Sequence, residues 1–254
     1  MPINPMPSVE ALADISMRAG LAILRVRDLG FSKSGKADGS PVTDADLASN
    51  QLITSELKAL FPHIPIVSEE GDQSKSGGIF FLVDPLDGTK EFINGSPDFT
   101  VNIALIENER PLVGVVHLPM TGTSYLGNPE GARKTQGDES RPIAVSARQQ
   151  NLRVVASRSH LDIETERFIK DLKGAETVKA GSSVKFCLIA EGEAEVYPRF
   201  GRTMEWDTAA GQAVLEAAGG RVSDWASGRD FSYGKLGYEN PSFVAVSNTS
   251  ILQQ

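Results

Sequence analysis

The stretch IFFLVDPLDGT, residues 79–89, joins a strand-length apolar run directly to two aspartates. Because the proline between the aspartates restricts the backbone, we expect a stiff turn after the strand that aims Asp84 and Asp87 at one place. Gly88 lets the backbone approach a ligand closely. The N–H groups of Gly88 and Thr89 open a short helix, and such a helix start suits an oxyanion. The stretch therefore predicts a site where a cation and an oxyanion meet.

Three other segments carry acids where predicted helices or strands begin or end: residues 38–46 (DGSPVTDAD), 68–70 (SEE) and 205–211 (EWDTAAG). A buried charge is costly without a partner, and none of the four segments contains a lysine. We therefore predict that these acids are partnered by hard divalent cations such as Mg²⁺, which prefer oxygen ligands. Zinc is disfavoured because the three histidines lie outside the four segments and no Cys/His cluster occurs.

The composition of the 254 residues is that of an ordinary globular chain, with 40% hydrophobic and 23% charged residues. The formal net charge of −8 argues against a nucleic-acid polymer as partner, since such binding depends on cations that neutralise phosphates. No apolar run approaches the ~18 residues of a membrane helix, and the N-terminus has no secretory signal pattern. A single cysteine, Cys187, cannot form an internal disulfide. We expect a cytoplasmic enzyme, and the sequence leaves a peripheral association with the inner membrane open.

The hydrophobic pattern predicts an α+β first half and an α/β second half. We place two subdomains at residues 1–147 and 148–254, the first carrying most of the candidate metal ligands and the second completing the substrate site. A polar loop is expected over residues 32–40. Helices are predicted over residues 8–29, 43–61, 162–172, 182–190 and 207–218, with a short helix from residue 89. Strands are predicted at residues 64–67, 79–83, 99–106, 111–118, 124–126, 131–134, 152–156, 176–180, 194–197, 221–223 and 243–246.

The acidic segments together resemble the motifs of the inositol monophosphatase superfamily, in order and along the whole chain. The matching residues are 43–46, 69–70, 84–89 and 206–211. The resemblance implies the layered α-β-α-β-α sugar-phosphatase fold. It also implies a metal-dependent, lithium-sensitive phosphatase, a class that includes fructose-1,6-bisphosphatases.

Four segments are similar to bacterial 3′(2′),5′-bisphosphate nucleotidases of the CysQ type: residues 84–93, 185–192, 197–201 and 205–211. That similarity implies removal of the 3′-phosphate from adenosine 3′,5′-bisphosphate (PAP), a small phosphorylated nucleotide, to give AMP and phosphate. Arg199 favours a substrate with a second phosphate, because the arginine fork matches phosphate bidentately. The alternatives are inositol monophosphatase or fructose-1,6-bisphosphatase activity with the same metal chemistry, and an inactive binding protein on this fold. The last is disfavoured because every motif carboxylate and the motif threonine are present.

The resemblance assigns roles at the metal centre, which would hold two or three Mg²⁺ per site. The first ion would be bound by Glu69, Asp84 and the Leu86 carbonyl. The second would be bound by Asp84, Asp87 and Asp207. A weaker third ion would be bound by Asp46 and Glu69 through waters. Thr89, with Asp46 and Glu70, would orient and deprotonate the water that attacks phosphorus in line.

The resemblance and the positions of the cations also give a set of candidate substrate contacts. Helix capping remains an alternative role for Asp207 and for the Gly181-Ser182-Ser183 segment, and surface solvation remains one for Lys185, Arg199 and Arg202. Both a monomer and a homodimer are compatible with the sequence. The candidate contacts are Glu69, Leu86, Asp87, Gly88, Thr89, Gly181, Ser182, Lys185, Arg199 and Asp207.

Overall fold

The computed structural model describes residues 6–36, 39–71, 73, 77–157, 162–172 and 174–253. Asp38, in the acidic segment 38–46, lies outside the described residues. Within these ranges the chain forms six α-helices and fourteen strands, and the strands make sheets of two, five and seven.

Two long helices form where the N-terminal apolar residues recur with helical spacing. They are α1 (Val9–Leu29) and α2 (Asp44–Leu60), and both agree with the predicted bounds within one residue. Their buried faces follow the three- and four-residue steps of the sequence pattern. The loop expected over residues 32–40 instead contains a short antiparallel pair, β1 (Lys33–Gly35) and β2 (Pro41–Thr43). Three-residue strands are too short to show an alternating pattern.

The first large sheet has seven strands in sequence order, β3 to β9. Strand β3 runs parallel to β4, and all other neighbours are antiparallel. Strand β9 was not expected from the sequence, because four of its five residues are exposed and one is a proline. The strands are β3 (Ile66–Ser68), β4 (Ile79–Asp87), β5 (Thr100–Glu107), β6 (Arg110–Leu118), β7 (Thr123–Asn128), β8 (Gly131–Gln136) and β9 (Glu139–Ile143).

Strand β4 continues through both aspartates of the DPLDGT motif instead of ending at residue 83. Its register against β5 shifts between Asp84 and Asp87, which marks a bulge. Pro85 has no N–H to donate to a regular ladder of hydrogen bonds, and a bulge accommodates it. The expected turn after residue 83 is therefore wrong, and the two acids lie on an irregular strand end.

The second large sheet has the order β11-β10-β12-β14-β13, with β10 parallel to both of its neighbours. The helix expected over residues 207–218 begins as a 3₁₀ turn, Glu205–Asp207, before α6. The remaining helices are α3 (Thr89–Ile93), α4 (Ile163–Asp171), α5 (Val184–Ala190) and α6 (Ala209–Ala217). The strands are β10 (Arg153–Ser157), β11 (Glu176–Ala180), β12 (Val196–Arg199), β13 (Arg221–Asp224) and β14 (Phe243–Val246).

Apolar cores between successive layers give the α-β-α-β-α order. Phe81 and Val83 of β4 face the core beneath α1 and α2, while Phe80 and Leu82 face a core shared with α5, α6 and the second sheet. A third core lies between that sheet and α4. Helix α6 approaches the first sheet so closely that a Cβ at Gly114 would lie 2.5 Å from the Ala210 carbonyl oxygen. The expected layered fold is confirmed.

The subdomain boundary at residues 147/148 falls between β9 and β10 and stays a prediction. Among the helices of the described residues, none combines the length and apolar character needed to cross a membrane.

Candidate active site

The N-terminus of α2 brings Asp46 to the end of β4. Thr43 is the N-cap of this helix, and its backbone N–H donates to Asp46 Oδ2 at 2.7 Å, forming a capping box. The other oxygen, Oδ1, accepts a hydrogen bond from Thr89 Oγ1 at 3.0 Å. Asp46 therefore completes the capping box of α2 with one oxygen and accepts from the Thr89 hydroxyl with the other.

The bulge in β4 sets the positions of the DPLDGT residues. Asp84 Oδ1 accepts from the Leu86 N–H at 3.1 Å, and the Pro85 carbonyl accepts from Ser49 Oγ at 2.7 Å, which ties the bulge to α2. Gly88 follows with a φ of +94°, and a Cβ there would lie 3.1 Å from the Asp98 carbonyl oxygen. Only glycine adopts this backbone without strain in so tight a space, and α3 starts at the next residue as expected.

Asp207 enters the site on the 3₁₀ turn before α6. Its Oδ2 accepts from the Met204 N–H at 2.8 Å. The other acid of the turn, Glu205, is fully buried and accepts from the N–H groups of Gly234 and Lys235. Glu205 therefore anchors the turn structurally and leaves Asp207 facing the other carboxylates.

Five carboxylates influence one another at this point of the fold. Asp84 is 1% exposed, and burial, followed by the charges of Glu69, Asp87, Asp207 and Asp46, raises its pKa well above the usual value. Burial and the charge of Asp87 raise the pKa of Asp207 to about 8. Carboxylates raise one another's pKa only when they lie close together, so the five predicted carboxylate ligands surround a common centre.

Lys36 is a residue of this centre that the sequence analysis did not predict. Its Nζ lies 2.6 Å from Glu69 Oε1 and also contacts the carboxylate of Glu70. Although burial lowers the pKa of Lys36, attraction to the two glutamates outweighs this and raises it above its usual value. The prediction that no lysine partners these acids is therefore wrong for Glu69 and Glu70. Lys36 lies in the polar loop, outside the four acidic segments, and nothing local in the sequence links it to Glu69.

The carboxylate centre fits a hard divalent cation by its chemistry. No three Asp, Glu, His or Cys side chains in the described ranges already have the arrangement of a metal site. Burial raises the pKa of Asp84, Asp87 and Glu69, and a divalent cation would relieve the repulsion that adds to this effect. Because Lys36 holds Glu69 through Oε1, a cation bound at that oxygen would compete with the ammonium group.

A cleft beside Asp87 collects most of the candidate substrate residues. Ser157, Thr203 and Thr208 also line it and were not predicted, since neutral hydroxyl residues carry no charge pattern. Glu69, Leu86 and Thr89 belong to the neighbouring carboxylate centre. The predicted residues in the cleft lining are Asp87, Gly88, Gly181, Ser182, Lys185, Arg199 and Asp207.

Two cations occupy this cleft. Lys185 is 6% exposed, its Nζ lies 5.3 Å from the centre of the Tyr197 ring, and burial lowers its pKa to about 8 against the opposing charge of Asp87. Arg199 donates through Nη2 to the Arg202 carbonyl, while its buried Nε has no hydrogen-bond partner. An unpaired buried donor beside a second cation is suited to an anionic group. Arg202 instead pairs with Glu239 at the surface.

Ser183 does not cap α5 in the way the sequence suggested. It holds the N-cap position of α5, yet its side chain makes no capping hydrogen bond. Its Oγ is within hydrogen-bond distance of Asp87 and of the Asp207 backbone. Asn102 of β5, which sequence reasoning did not select, donates to the same hydroxyl.

Comparison with known proteins agrees with this fold. The model of the inositol monophosphatase family matches residues 8–253. The chain is 42% identical over 242 residues to the 3′(2′),5′-bisphosphate nucleotidase CysQ of Escherichia coli strain K12, covering 92% of this chain and 98% of that protein. It is 39% identical over 247 residues to the Buchnera aphidicola protein of the same name, covering 95% and 91%.

Solved structures give the same result. The crystal structure of CysQ from Bacteroides thetaiotaomicron, a bacterial member of the inositol monophosphatase family, superposes with a TM-score of 0.80 at 37% identity, covering 94% of this chain and 97% of that one. An inositol monophosphatase from Anabaena, at 24% identity and a TM-score of 0.73, shares the fold. This chain belongs to the inositol monophosphatase family.

Proposed function

We propose that this protein is a 3′(2′),5′-bisphosphate nucleotidase that hydrolyses the 3′-phosphate of PAP to give AMP and phosphate. The observation that carries the proposal is the cation pair Lys185 and Arg199, in one cleft with Asp87 and Asp207. A carboxylate centre can process one phosphate, and cations beside it can hold a second one. The 42% identity to curated nucleotidases supports this choice of substrate.

Members of this family are metal-dependent phosphatases, and we propose two or three Mg²⁺ per site in this chain. When bound, such ions activate water and stabilise charge on the attacking and leaving oxygens of an in-line displacement. The fit rests on the buried, mutually repelling carboxylates, which are the hard oxygen donors that Mg²⁺ prefers. The residues proposed as ligands are Glu69, Asp84, the Leu86 carbonyl, Asp87, Asp207 and Asp46.

Thr89 and Asp46 are proposed to move the proton of the attacking water. The Thr89 hydroxyl already donates to Asp46 Oδ1, so its lone pairs can accept a proton from water while its own proton passes toward the carboxylate. Asp46 is fixed for this task because the Thr43 N–H holds its other oxygen. Glu70 is proposed to assist, and it is in contact with Lys36.

The second phosphate of the substrate is proposed to bind between Lys185 and Arg199. The Nε–H of Arg199 is a donor without a partner, and Lys185 lies against Tyr197 with almost no exposure to water. Gly181 and Ser182 line the same cleft and are proposed to contact the nucleotide sugar. A substrate with one phosphate would leave this cation pair unmatched.

The test is phosphate release from PAP, AMP, inositol 1-phosphate and fructose 1,6-bisphosphate, each with Mg²⁺ and with EDTA. We expect a strong preference for PAP that EDTA abolishes, and loss of most activity in Asp87→Asn, which keeps the shape of the side chain. Tyr125→Phe, on β7 away from the cleft, serves as the matched control and should retain activity. Metal-dependent preference for a sugar or inositol phosphate would overturn the substrate assignment, and activity unaffected by EDTA would overturn the metal chemistry.

A further inference from the structure

Asp87 is held by two polar side chains that come from different layers of the fold. Ser183 Oγ lies 2.8 Å from Asp87 Oδ2, and Asn102 Nδ2 lies 3.4 Å from the same oxygen. Asn102 Nδ2 also donates to Ser183 Oγ at 2.8 Å. Both contacts to Asp87 are made with Oδ2, and neither uses Oδ1.

The burial of both partners means that this arrangement is specific. Asn102 and Ser183 are each 1% exposed, so any hydrogen-bond partners of their side chains lie within the protein; among the described residues Asn102 Oδ1 has none. The orientation of the Asn102 amide is determined by its neighbours, because a carboxylate can only accept and the NH₂ group must face it. Ser183 forms no helix cap that would otherwise explain a serine at this position.

The same hydroxyl reaches the 3₁₀ turn before α6. Ser183 Oγ lies 2.8 Å from the Asp207 carbonyl oxygen, so one serine contacts the side chain of one proposed ligand and the backbone of another. Asn102 lies on β5, in the first large sheet, and is 81 residues from Ser183 in sequence. The small network therefore sets the position of Asp87 relative to Asp207 across the interface of two layers.

We propose that Asn102 and Ser183 are positioning residues that fix Asp87 through Oδ2, so that Oδ1 is presented to a divalent cation shared with Asp207. This inference rests on the proposed metal-dependent function. Hydrogen-bond partners of metal ligands hold the ligand in its binding orientation, and their loss weakens metal affinity by roughly 10- to 100-fold.

The test is the Mg²⁺ affinity of the metal-free protein, measured by calorimetry and by the Mg²⁺ dependence of the unfolding temperature. We expect Ser183→Ala and Asn102→Ala each to weaken Mg²⁺ binding by roughly 10-fold or more. The double variant should lose little beyond the larger single effect, because the two residues act through one carboxylate. Ser183→Thr, which keeps the hydroxyl, should restore most of the affinity. At saturating Mg²⁺ the kcat of the alanine variants should recover toward that of the original protein.

The control is Tyr125→Phe, which removes the 2.6 Å hydrogen bond from Tyr125 to Glu191 between the first sheet and the end of α5. It perturbs the same layer interface far from Asp87 and should leave Mg²⁺ affinity unchanged. Unchanged affinity in both alanine variants, or a loss equal to that of Tyr125→Phe, would overturn the inference. If Ser183→Ala does not fold, Asn102→Ala alone decides the matter. Absence of any Mg²⁺ response in the unmodified protein would instead overturn the proposed function.

Discussion

Replacing Lys36 by methionine tests the electrostatics of the carboxylate centre most directly. The change keeps the apolar length of the side chain and removes the charge that contacts Glu69 at 2.6 Å and also contacts Glu70. The side chain of Lys36 is 21% exposed and that of Glu70 is 8% exposed, so water screens the pair only in part. Without metal, the variant leaves two carboxylates close together with no cation between them.

The expected cost follows from this partial burial. A hydrogen bond to a charged group contributes about 1.5–3 kcal/mol when buried and less when solvent reaches it, so we expect a loss of about 1–2 kcal/mol. In a chain of this size 1 kcal/mol shifts the unfolding temperature by about 2–4 °C, which gives a decrease of about 2–8 °C in EDTA. Bound Mg²⁺ supplies the missing charge, so the difference should shrink at saturating Mg²⁺.

The assay is thermal unfolding of the unmodified protein and of Lys36→Met, in EDTA and over a series of Mg²⁺ concentrations. Lys33→Met is the matched control, since Lys33 is exposed on the same hairpin, and it should change the free energy of unfolding by no more than the ~0.5 kcal/mol typical of surface sites. We also expect tighter Mg²⁺ binding in Lys36→Met, because the cation no longer competes with the ammonium group. An equal decrease with and without Mg²⁺, or no decrease in EDTA, would refute this reasoning.

Three other predictions concern pH, the nucleophile and the substrate. Because Asp84 and Asp207 have raised pKa values, these two groups bind more protons in the folded metal-free protein than in the unfolded chain. Its stability should therefore fall as the pH rises between about 4 and 8, by up to ~1.4 kcal/mol per pH unit for each group, and Mg²⁺ should flatten the slope; equal slopes in EDTA and Mg²⁺ would contradict this. Thr89→Ala should lower kcat by roughly 10²–10⁴-fold. Its Mg²⁺ affinity should change little, because Thr89 contacts Asp46 and is not a proposed metal ligand. A matching loss of metal affinity would indicate a structural role. Arg199→Ala should raise the KM for PAP more than the KM for a monophosphate substrate, and equal effects on both would remove Arg199 from recognition of the second phosphate.

Local patterns predicted the elements that depend on local physics. The buried face of α1 repeats with the helical period, and the structure places this helix within one residue of the predicted bounds. Thr43 caps α2 because a side-chain oxygen can satisfy an N–H of the first turn, which is a contact within a few residues. The motif carboxylates were recognised because buried acids need a cation, whatever the rest of the chain does.

Tertiary structure alone decided how those carboxylates are partnered. Lys36 meets Glu69 across 33 residues of sequence, and Asn102 meets Ser183 across 81, so no local pattern could reveal either pair. The bulge that keeps Asp84 and Asp87 on β4 depends on the register with β5, which is set by the neighbouring strand and not by the motif. The sequence by itself determined which residue types are available for the chemistry. Packing of the two sheets against α5 and α6 determined which atoms of those residues face the same point, because contacts between distant segments fix the packing.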